Sequence, residues 1–177
     1  MFRGKPIYPP QNMTARPTTD MAKEGMFNIL ENNFDLETVK YLDLFAGTGS
    51  ICFEFLSRGC KNITAIDISF KHIAFIRKTS KELTPEEHII NSIQGDAFRF
   101  LRNSKETYDI IFCDPPYDLT KTLEIPDLVF NSAKLNPNGW LIIEHSDDKD
   151  FKKHPNFVQK REYGKVKLSI FEYVTTK

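Results

Sequence analysis

The chain has 177 residues, of which 40% are hydrophobic and 27% are charged, a composition that is ordinary for one soluble globular domain. It contains no run of about 18 apolar residues that could span a bilayer, and its N-terminus lacks the apolar core of a signal peptide, so we expect a cytoplasmic protein. The 24 basic and 24 acidic residues cancel, which disfavours a protein that binds naked nucleic acid along a long tract.

The charges are divided unevenly along the chain. From Lys149 onward there are eight basic and three acidic residues, so the first 148 residues carry the opposite excess. The basic segment is either an edge that faces RNA or the solvated face of a hairpin, and composition alone does not separate the two.

The cysteines and histidines show no metal-binding spacing. Cys52, Cys60 and Cys113 form no CxxC motif, and the four histidines form neither HxxxH nor HxH. We therefore expect three buried, reduced thiols and no metal site.

The N-terminal region predicts an arm followed by a helix. Residues 1–19 contain four prolines and no apolar periodicity, which indicates an extended arm. Asp20 is a candidate N-cap for a leading helix at residues 20–32. The apolar side chains expected on one face of that helix are Ala22, Met26, Ile29 and Leu30.

From residue 41 onward, apolar runs rich in β-formers alternate with helical stretches. The predicted strands are Tyr41–Ala46, Ile63–Ile68, Ile89–Ile93, Tyr108–Cys113 and Trp140–Glu144. The predicted helices are Ile51–Ser57, Lys71–Leu83 (begun by Ser69), Ala97–Leu101 and Pro126–Lys134. Such alternation predicts βαβ units in a doubly wound sheet with helices on both faces.

The alternation stops after residue 155. Two strand-like runs, Phe157–Tyr163 and Val166–Val174, flank Gly164 and predict a closing β-hairpin. We therefore expect a single α/β domain over residues 1–177, with a Rossmann-like core at 41–177. Its mostly parallel sheet should have seven strands and end in the hairpin, which resembles the class I methyltransferases.

A glycine turn at the end of the first strand predicts a nucleotide-like ligand. Ala46, Gly47 and Gly49 are the candidate contacts, since glycine lets the backbone approach a ligand closely. A dinucleotide is the alternative, but that fingerprint requires a third glycine where this chain has Cys52. Asp43, inside the strand, suits the ammonium group of S-adenosylmethionine.

Two further acids stand at the ends of the next two strands. Asp67 (with its neighbour Ile68) can accept ribose hydroxyls, and Asp96 (with Ala97) can accept an adenine amino proton. Each acid has a structural alternative as a helix N-cap, which fits Asp96 better than Asp67. Three acids at consecutive strand ends favour donor binding.

The residues that follow the fourth strand carry the predicted reaction. The Asp114 carboxylate, which also borders the donor, and the Pro115 carbonyl can each accept one N–H of an exocyclic amino group. Pro115 and Pro116 stiffen the turn, and Tyr117 can stack on a target base. The structural alternative is a plain strand-terminating turn.

The arm and leading helix contain a further pattern, Arg16-Pro17-Thr18-Thr19-Asp20 followed by Glu24, Phe27-Asn28 and Leu30. This pattern is similar to the N-terminal signature of the RsmD family, bacterial methyltransferases that modify a guanine amino group of small-subunit ribosomal RNA. The similarity continues through the glycine turn, Asp67, Asp96, Asp114–Tyr117, Glu144 and the hairpin, so it covers nearly the whole chain.

The resemblance implies S-adenosylmethionine as the methyl donor and one extruded guanine of 16S rRNA as the target, in an assembled or partly assembled 30S subunit. It also implies a monomer without metal or membrane attachment. Tyr117 and Arg16 are then candidate substrate-binding residues, together with Arg3 and Lys5, the basic residues ahead of Arg16.

Four other functions remain open at this point. A DNA or other RNA adenine-N6 methyltransferase is one of them; the DNA enzymes share Asp114–Tyr117 but need room for a target-recognition insertion. A methyltransferase for a protein amide or a small molecule would favour Asn at position 114 or a lid domain. An NAD-dependent oxidoreductase fits Asp43 and Cys52 poorly, and a catalytically silent RNA-binding protein would not need Asp114–Tyr117.

Overall fold

The computed structural model describes residues 7–10, 13, 19–85 and 89–174. Arg3, Lys5 and Arg16, the predicted RNA contacts of the arm, lie outside the described residues. No helix in the described parts of the chain is long and apolar enough to cross a lipid bilayer.

Seven strands of the described chain form one sheet. They are β1 (Lys40–Leu44), β2 (Asn62–Asp67), β3 (Ile90–Gln94), β4 (Tyr108–Cys113), β5 (Leu135–His145), β6 (Phe157–Tyr163) and β7 (Val166–Phe171). Their order is β3-β2-β1-β4-β5-β7-β6; β1 to β5 are parallel, and β7 pairs antiparallel with both β5 and β6. This arrangement confirms the mostly parallel sheet and its closing hairpin.

The helices lie between the strands, as the alternation predicts. They are α1 (Asp20–Asn33), α2 (Ser50–Ser57), α3 (Phe70–Leu83), α4 (Ala97–Asn103) and α5 (Ile125–Asn131), with a short 3₁₀ helix at Thr120–Glu124 before α5. The 3₁₀ helix was not predicted. Ser69 caps α3, as predicted, by accepting a hydrogen bond from the His72 amide.

Several sequence-based boundaries are wrong. Strand β1 ends at Leu44 rather than Ala46, α4 ends at Asn103 rather than Leu101, and β7 ends at Phe171 rather than Val174. The N-cap of α1 is Thr19, whose hydroxyl accepts from the Ala22 amide, so Asp20 is the first helical residue instead. Helix α5 ends at Asn131 rather than Lys134 because Ala133 has a positive φ of 49°. Strand β5 begins at Leu135 rather than Trp140, since Leu135 pairs with Tyr108.

Apolar layers cover both faces of the sheet, which explains the continuously apolar strands. In one layer, the ring of Tyr41 stacks on Phe55, with ring centroids 3.7 Å apart, and Phe55 meets Phe27 of α1 edge-on. The next residue of β1, Leu42, packs in the opposite layer. Cys52, Cys60 and Cys113 are buried and free, as predicted.

The leading helix packs on the closing hairpin. Gly25 of α1 lies under the ring of Tyr163 at the end of β6, and a Cβ built on Gly25 would be 2.2 Å from that ring. Phe27 adds a fully buried side chain to the predicted apolar face, and Ile29, which is partly buried, packs against the same core. The helix thus joins the first part of the chain to its last strands.

Candidate active site

A cavity of about 580 Å³ opens at the carboxyl ends of the parallel strands, where ligands bind in open α/β sheets. The predicted site residues that line it are Asp43, Ala46, Gly47, Asp67, Ile68, Asp96, Ala97, Asp114, Pro116 and Tyr117. Gly49 and Pro115 do not line it. The fold therefore brings the predicted donor and target residues into one space.

The glycine turn after β1 is tightly wound. Phe45, Gly47 and Gly49 all have positive φ values, of 67°, 54° and 78°. A side chain at Gly49 would meet Ile76 of α3 at 2.8 Å. Gly49 therefore shapes the turn and the start of α2, whereas Gly47 borders the cavity itself.

The Asp67 carboxylate is held by three donors. Its Oδ2 accepts from the Gly47 amide at 2.8 Å, and its Oδ1 accepts from the Ser69 amide at 2.8 Å. The Nδ1 atom of His72 lies 3.1 Å from the same Oδ1. Asp67 thus connects the glycine turn to the start of α3, and it is not the N-cap of that helix.

Asp43 is a buried acid at the floor of the cavity. The thiol of Cys52 donates a hydrogen bond to its Oδ2 across 3.2 Å. Burial raises the pKa of the Asp43 carboxyl from 3.8 to about 7; the Cys52 hydrogen bond opposes that rise, and the negative charge of Asp67 adds to it. A cation brought beside Asp43 would favour its ionised form.

Asp96 combines a structural role with its place in the cavity wall. Its Oδ1 accepts from the Arg99 amide at 2.8 Å, so it is the N-cap of α4. The capping alternative is therefore correct, but it does not exclude ligand binding, since a carboxylate has a second oxygen that can accept.

The Asp114–Tyr117 segment follows β4 directly. Asp114 is half-buried, Pro115 is buried, and the ring of Tyr117 is 38% exposed at the cavity. The amide of Leu119 donates to the Pro116 carbonyl at 2.9 Å, which closes a turn. A carboxylate and an accessible aromatic ring therefore share the edge of the cavity.

A family model described as "Conserved hypothetical protein 95", which is the RsmD family, matches residues 1–172. The chain belongs to this family. YlbH of Bacillus subtilis is 30% identical over 176 residues, which cover 96% of this chain and 94% of that protein. The Buchnera aphidicola (subsp. Baizongia pistaciae) protein named "Ribosomal RNA small subunit methyltransferase D" is 29% identical over 96% of this chain and 85% of its own length.

Solved structures confirm the class I methyltransferase fold of this RsmD-family chain. The Haemophilus influenzae protein HI0767 is 26% identical and superposes with a TM-score of 0.74, covering 86% of this chain and 96% of that one. An RNA methyltransferase from Salinibacter ruber, solved in complex with S-adenosyl-L-homocysteine, shares the fold with a TM-score of 0.67 at 15% identity, over 92% of this chain and 98% of that one.

Several cavity residues of this RsmD-family methyltransferase were not predicted. They include Phe45, His72, Phe98 and Leu119. Phe45 and Phe98 meet edge-on with ring centroids 6.3 Å apart, and they give the cavity an aromatic wall. A histidine five residues after Asp67, in the first turn of a helix capped by Ser69, is the sequence signal that identifies His72 as a candidate.

The basic C-terminal segment carries several ion pairs. Lys160 pairs with Glu162 at 2.7 Å, and Lys167 pairs with Glu162 at 3.0 Å and with Asp147 at 3.4 Å. Lys149 pairs with Asp148. These acids offset part of the positive charge of the segment. Among the described residues, no group of three or more His, Cys, Asp or Glu is placed to hold a metal ion.

Proposed function

We propose that this protein transfers a methyl group from S-adenosylmethionine to the exocyclic N2 amino group of one guanine in 16S rRNA, within an assembled or partly assembled 30S subunit. The observation that carries the proposal is that Asp43, Asp67 and Asp114 line one cavity together with Tyr117. The family supports the reaction class, since several relatives are named as small-subunit rRNA methyltransferases.

The cavity fits the proposed donor in size and in chemistry. Its volume of about 580 Å³ lies in the usual range for small-molecule sites. Asp43 would face the ammonium group, Asp67 would accept from the ribose, and Asp96 would accept from the adenine amino group. Ile68, which is 75% exposed, and Ala97 offer apolar surface to the adenine ring.

The donor, when bound, supplies an electrophilic methyl group on a sulfonium centre. The protein must then present a nitrogen whose lone pair is delocalised into a purine ring. Asp114 and the Pro115 carbonyl would accept the two amino protons and favour a pyramidal nitrogen. Tyr117 would stack on the base, a contact worth roughly 1–3 kcal/mol. Positioning and electrostatics would supply most of the rate enhancement.

The protons of the amino group need no strong base before transfer. The nitrogen becomes acidic only once it carries the methyl group, and the Asp114 carboxylate can then hold the released proton. The described cavity supports this step, since Asp114 and Tyr117 both line it.

The substrate would be one guanine extruded from its stack, as is general for enzymes that modify a stacked base. Arg3, Lys5 and Arg16 of the arm would contact phosphates. The zero net charge favours a structured ribonucleoprotein over a long naked RNA. We propose that the chain acts as a single-domain monomer in the cytoplasm.

The deciding experiment is incubation with tritiated S-adenosylmethionine and under-methylated small ribosomal subunits, with stripped rRNA and DNA in parallel. We expect label in one guanine of the subunit rRNA and none in DNA. An Asp114→Ala variant is the negative control. Label in DNA, or no label anywhere although the donor binds, would contradict the proposed substrate.

A further inference from the structure

We propose that His72 is a positioning residue for the methyl donor, and that it acts by fixing the Asp67 carboxylate. The inference rests on the proposed function, because it concerns the same donor pocket. It adds a residue that the sequence motifs do not include.

The ring of His72 contacts the carboxylate of Asp67. Asp67 is the last residue of β2, and His72 lies in the first turn of α3. Its Nδ1 is 3.1 Å from Oδ1 of Asp67, and both side chains are largely buried, with exposed fractions of 19% and 11%. Both residues also line the cavity.

The hydrogen bonds leave little freedom to the carboxylate. An ionised carboxylate has two oxygens and about four acceptor positions. The Ser69 amide and the His72 ring occupy Oδ1, and the Gly47 amide takes one position on Oδ2. The remaining acceptor position is on Oδ2, so His72 directs a ligand hydroxyl to that oxygen and stops the carboxylate from rotating.

Without the imidazole, Oδ1 would keep a single backbone donor and the carboxylate could turn within the cavity. Donor binding would then include the cost of ordering Asp67. Loss of the imidazole should therefore weaken donor binding. The effect should be seen in the binding constant and in the KM for the donor rather than in kcat.

Two substitutions separate hydrogen bonding from packing. In His72→Asn, the amide nitrogen can occupy the place of Nδ1 and keep a donor toward Asp67. His72→Phe keeps a ring of similar shape and removes the donor. Lys71→Ala is the matched control, since Lys71 is the exposed neighbour in the same turn and does not line the cavity.

The experiment is calorimetric titration of each variant with S-adenosylmethionine and with S-adenosylhomocysteine, with a melting curve to show that the variant is folded. We expect His72→Phe to weaken binding by about 5- to 10-fold, within the range for the net contribution of one typical intramolecular hydrogen bond, because the imidazole acts on the donor only through Asp67. His72→Asn should stay within about two-fold of the original protein, as should Lys71→Ala.

A double-mutant cycle tests whether the effect passes through Asp67. In an Asp67→Ala background, His72→Phe should cause no further loss of affinity, because the interaction is already absent. Unchanged affinity in His72→Phe, or losses that simply add, would overturn the inference. If the unmodified protein binds neither ligand, the proposed function itself fails; binding without methyl transfer to ribosomal subunits leaves the inference standing and rejects only the proposed substrate.

Discussion

The Cys52 thiol lies 3.2 Å from Oδ2 of Asp43, and both side chains are almost entirely shielded from solvent. This thiol is a weak donor, so it offsets only part of the cost of burying a negative charge. The carboxyl consequently keeps its proton up to about neutral pH, with a pKa of about 7.

Donor binding should therefore release a proton near neutral pH. With a pKa of about 7, the Asp43 carboxyl is mostly protonated at about pH 6, and a cation placed beside it favours the ionised form. We expect donor affinity to rise between about pH 5.5 and pH 7. Titration calorimetry in buffers of different ionisation enthalpy measures the proton directly. Asp43→Asn should abolish the release, and proton-neutral binding at about pH 6.5 would contradict the prediction.

The same acid should reduce stability at alkaline pH. Its folded pKa of about 7 lies above the unfolded value of 3.8, so its contribution to stability is fully present below pH 3.8 and is lost as the pH rises through 7. We compare the free energy of unfolding of Asp43→Asn with that of the original protein at each pH. The difference should favour the variant more at about pH 8 than at about pH 4, by at most about 4 kcal/mol. Denaturant titrations at both pH values check this, with Asp35→Asn as an exposed control. An equal effect at the two pH values would count against it.

Asp114→Ala should abolish methyl transfer while donor affinity stays within several-fold. In the proposed reaction the carboxylate holds the target nitrogen, and we therefore expect its loss to lower kcat by at least about 100-fold. Label incorporation and donor titration on the same preparation separate the two effects. Near-normal turnover would show that the pocket for the target base is assigned wrongly.

Asp67→Ala should mainly weaken donor binding. Its carboxylate borders the cavity and accepts from the Gly47 and Ser69 amides, so the variant loses both the proposed ligand acceptor and the restraint on the glycine turn. We expect at least about a 10-fold loss of affinity, from one hydrogen bond to a charged group. Equilibrium binding of the donor measures it, and unchanged affinity would remove Asp67 from the ribose role.

Gly25→Ala should destabilise the protein although alanine favours helices. The new methyl group would lie 2.2 Å from Cε1 of Tyr163, and such overpacking costs about 1–3 kcal/mol. Thermal unfolding of Gly25→Ala, alone and combined with Tyr163→Ala, tests whether the ring is responsible. Gly95→Ala is the matched control, since no atom lies within 4 Å of its built Cβ. A raised melting temperature in Gly25→Ala would mean that the helix and hairpin are not tightly packed.

Local signals predicted much of the fold. Strand β4 has the predicted bounds Tyr108–Cys113, because a buried central strand is a short apolar run with clear ends. The beginning of β5 could not be predicted, since Asn136–Gly139 has the composition of a turn. Only the tertiary register shows that Leu135 and Trp140, on either side of it, both pair with β4 across an irregularity. Thr19 and Asp20 are both good capping residues, and only the backbone geometry decides between them.

The candidate site was predictable where it depends on topology. Asp43 and Asp67 lie in parallel strands and Asp114 directly follows a third, and the carboxyl ends of these strands meet at one edge, so their convergence follows from the fold. His72 was missed because helical periodicity does not show which face of α3 turns toward a cavity. The assigned roles of these side chains stay predictions until the variants are measured.

The contact between Gly25 and Tyr163 joins residues from opposite ends of the chain. During synthesis, α1 leaves the ribosome long before β6 exists, so the helix cannot reach its final packing surface until the hairpin is made. The apolar face formed by Ala22, Met26 and Leu30 would stay uncovered during that interval. Because this contact forms late, burial of the apolar face of α1 in the nascent chain depends on rapid completion of the last strands.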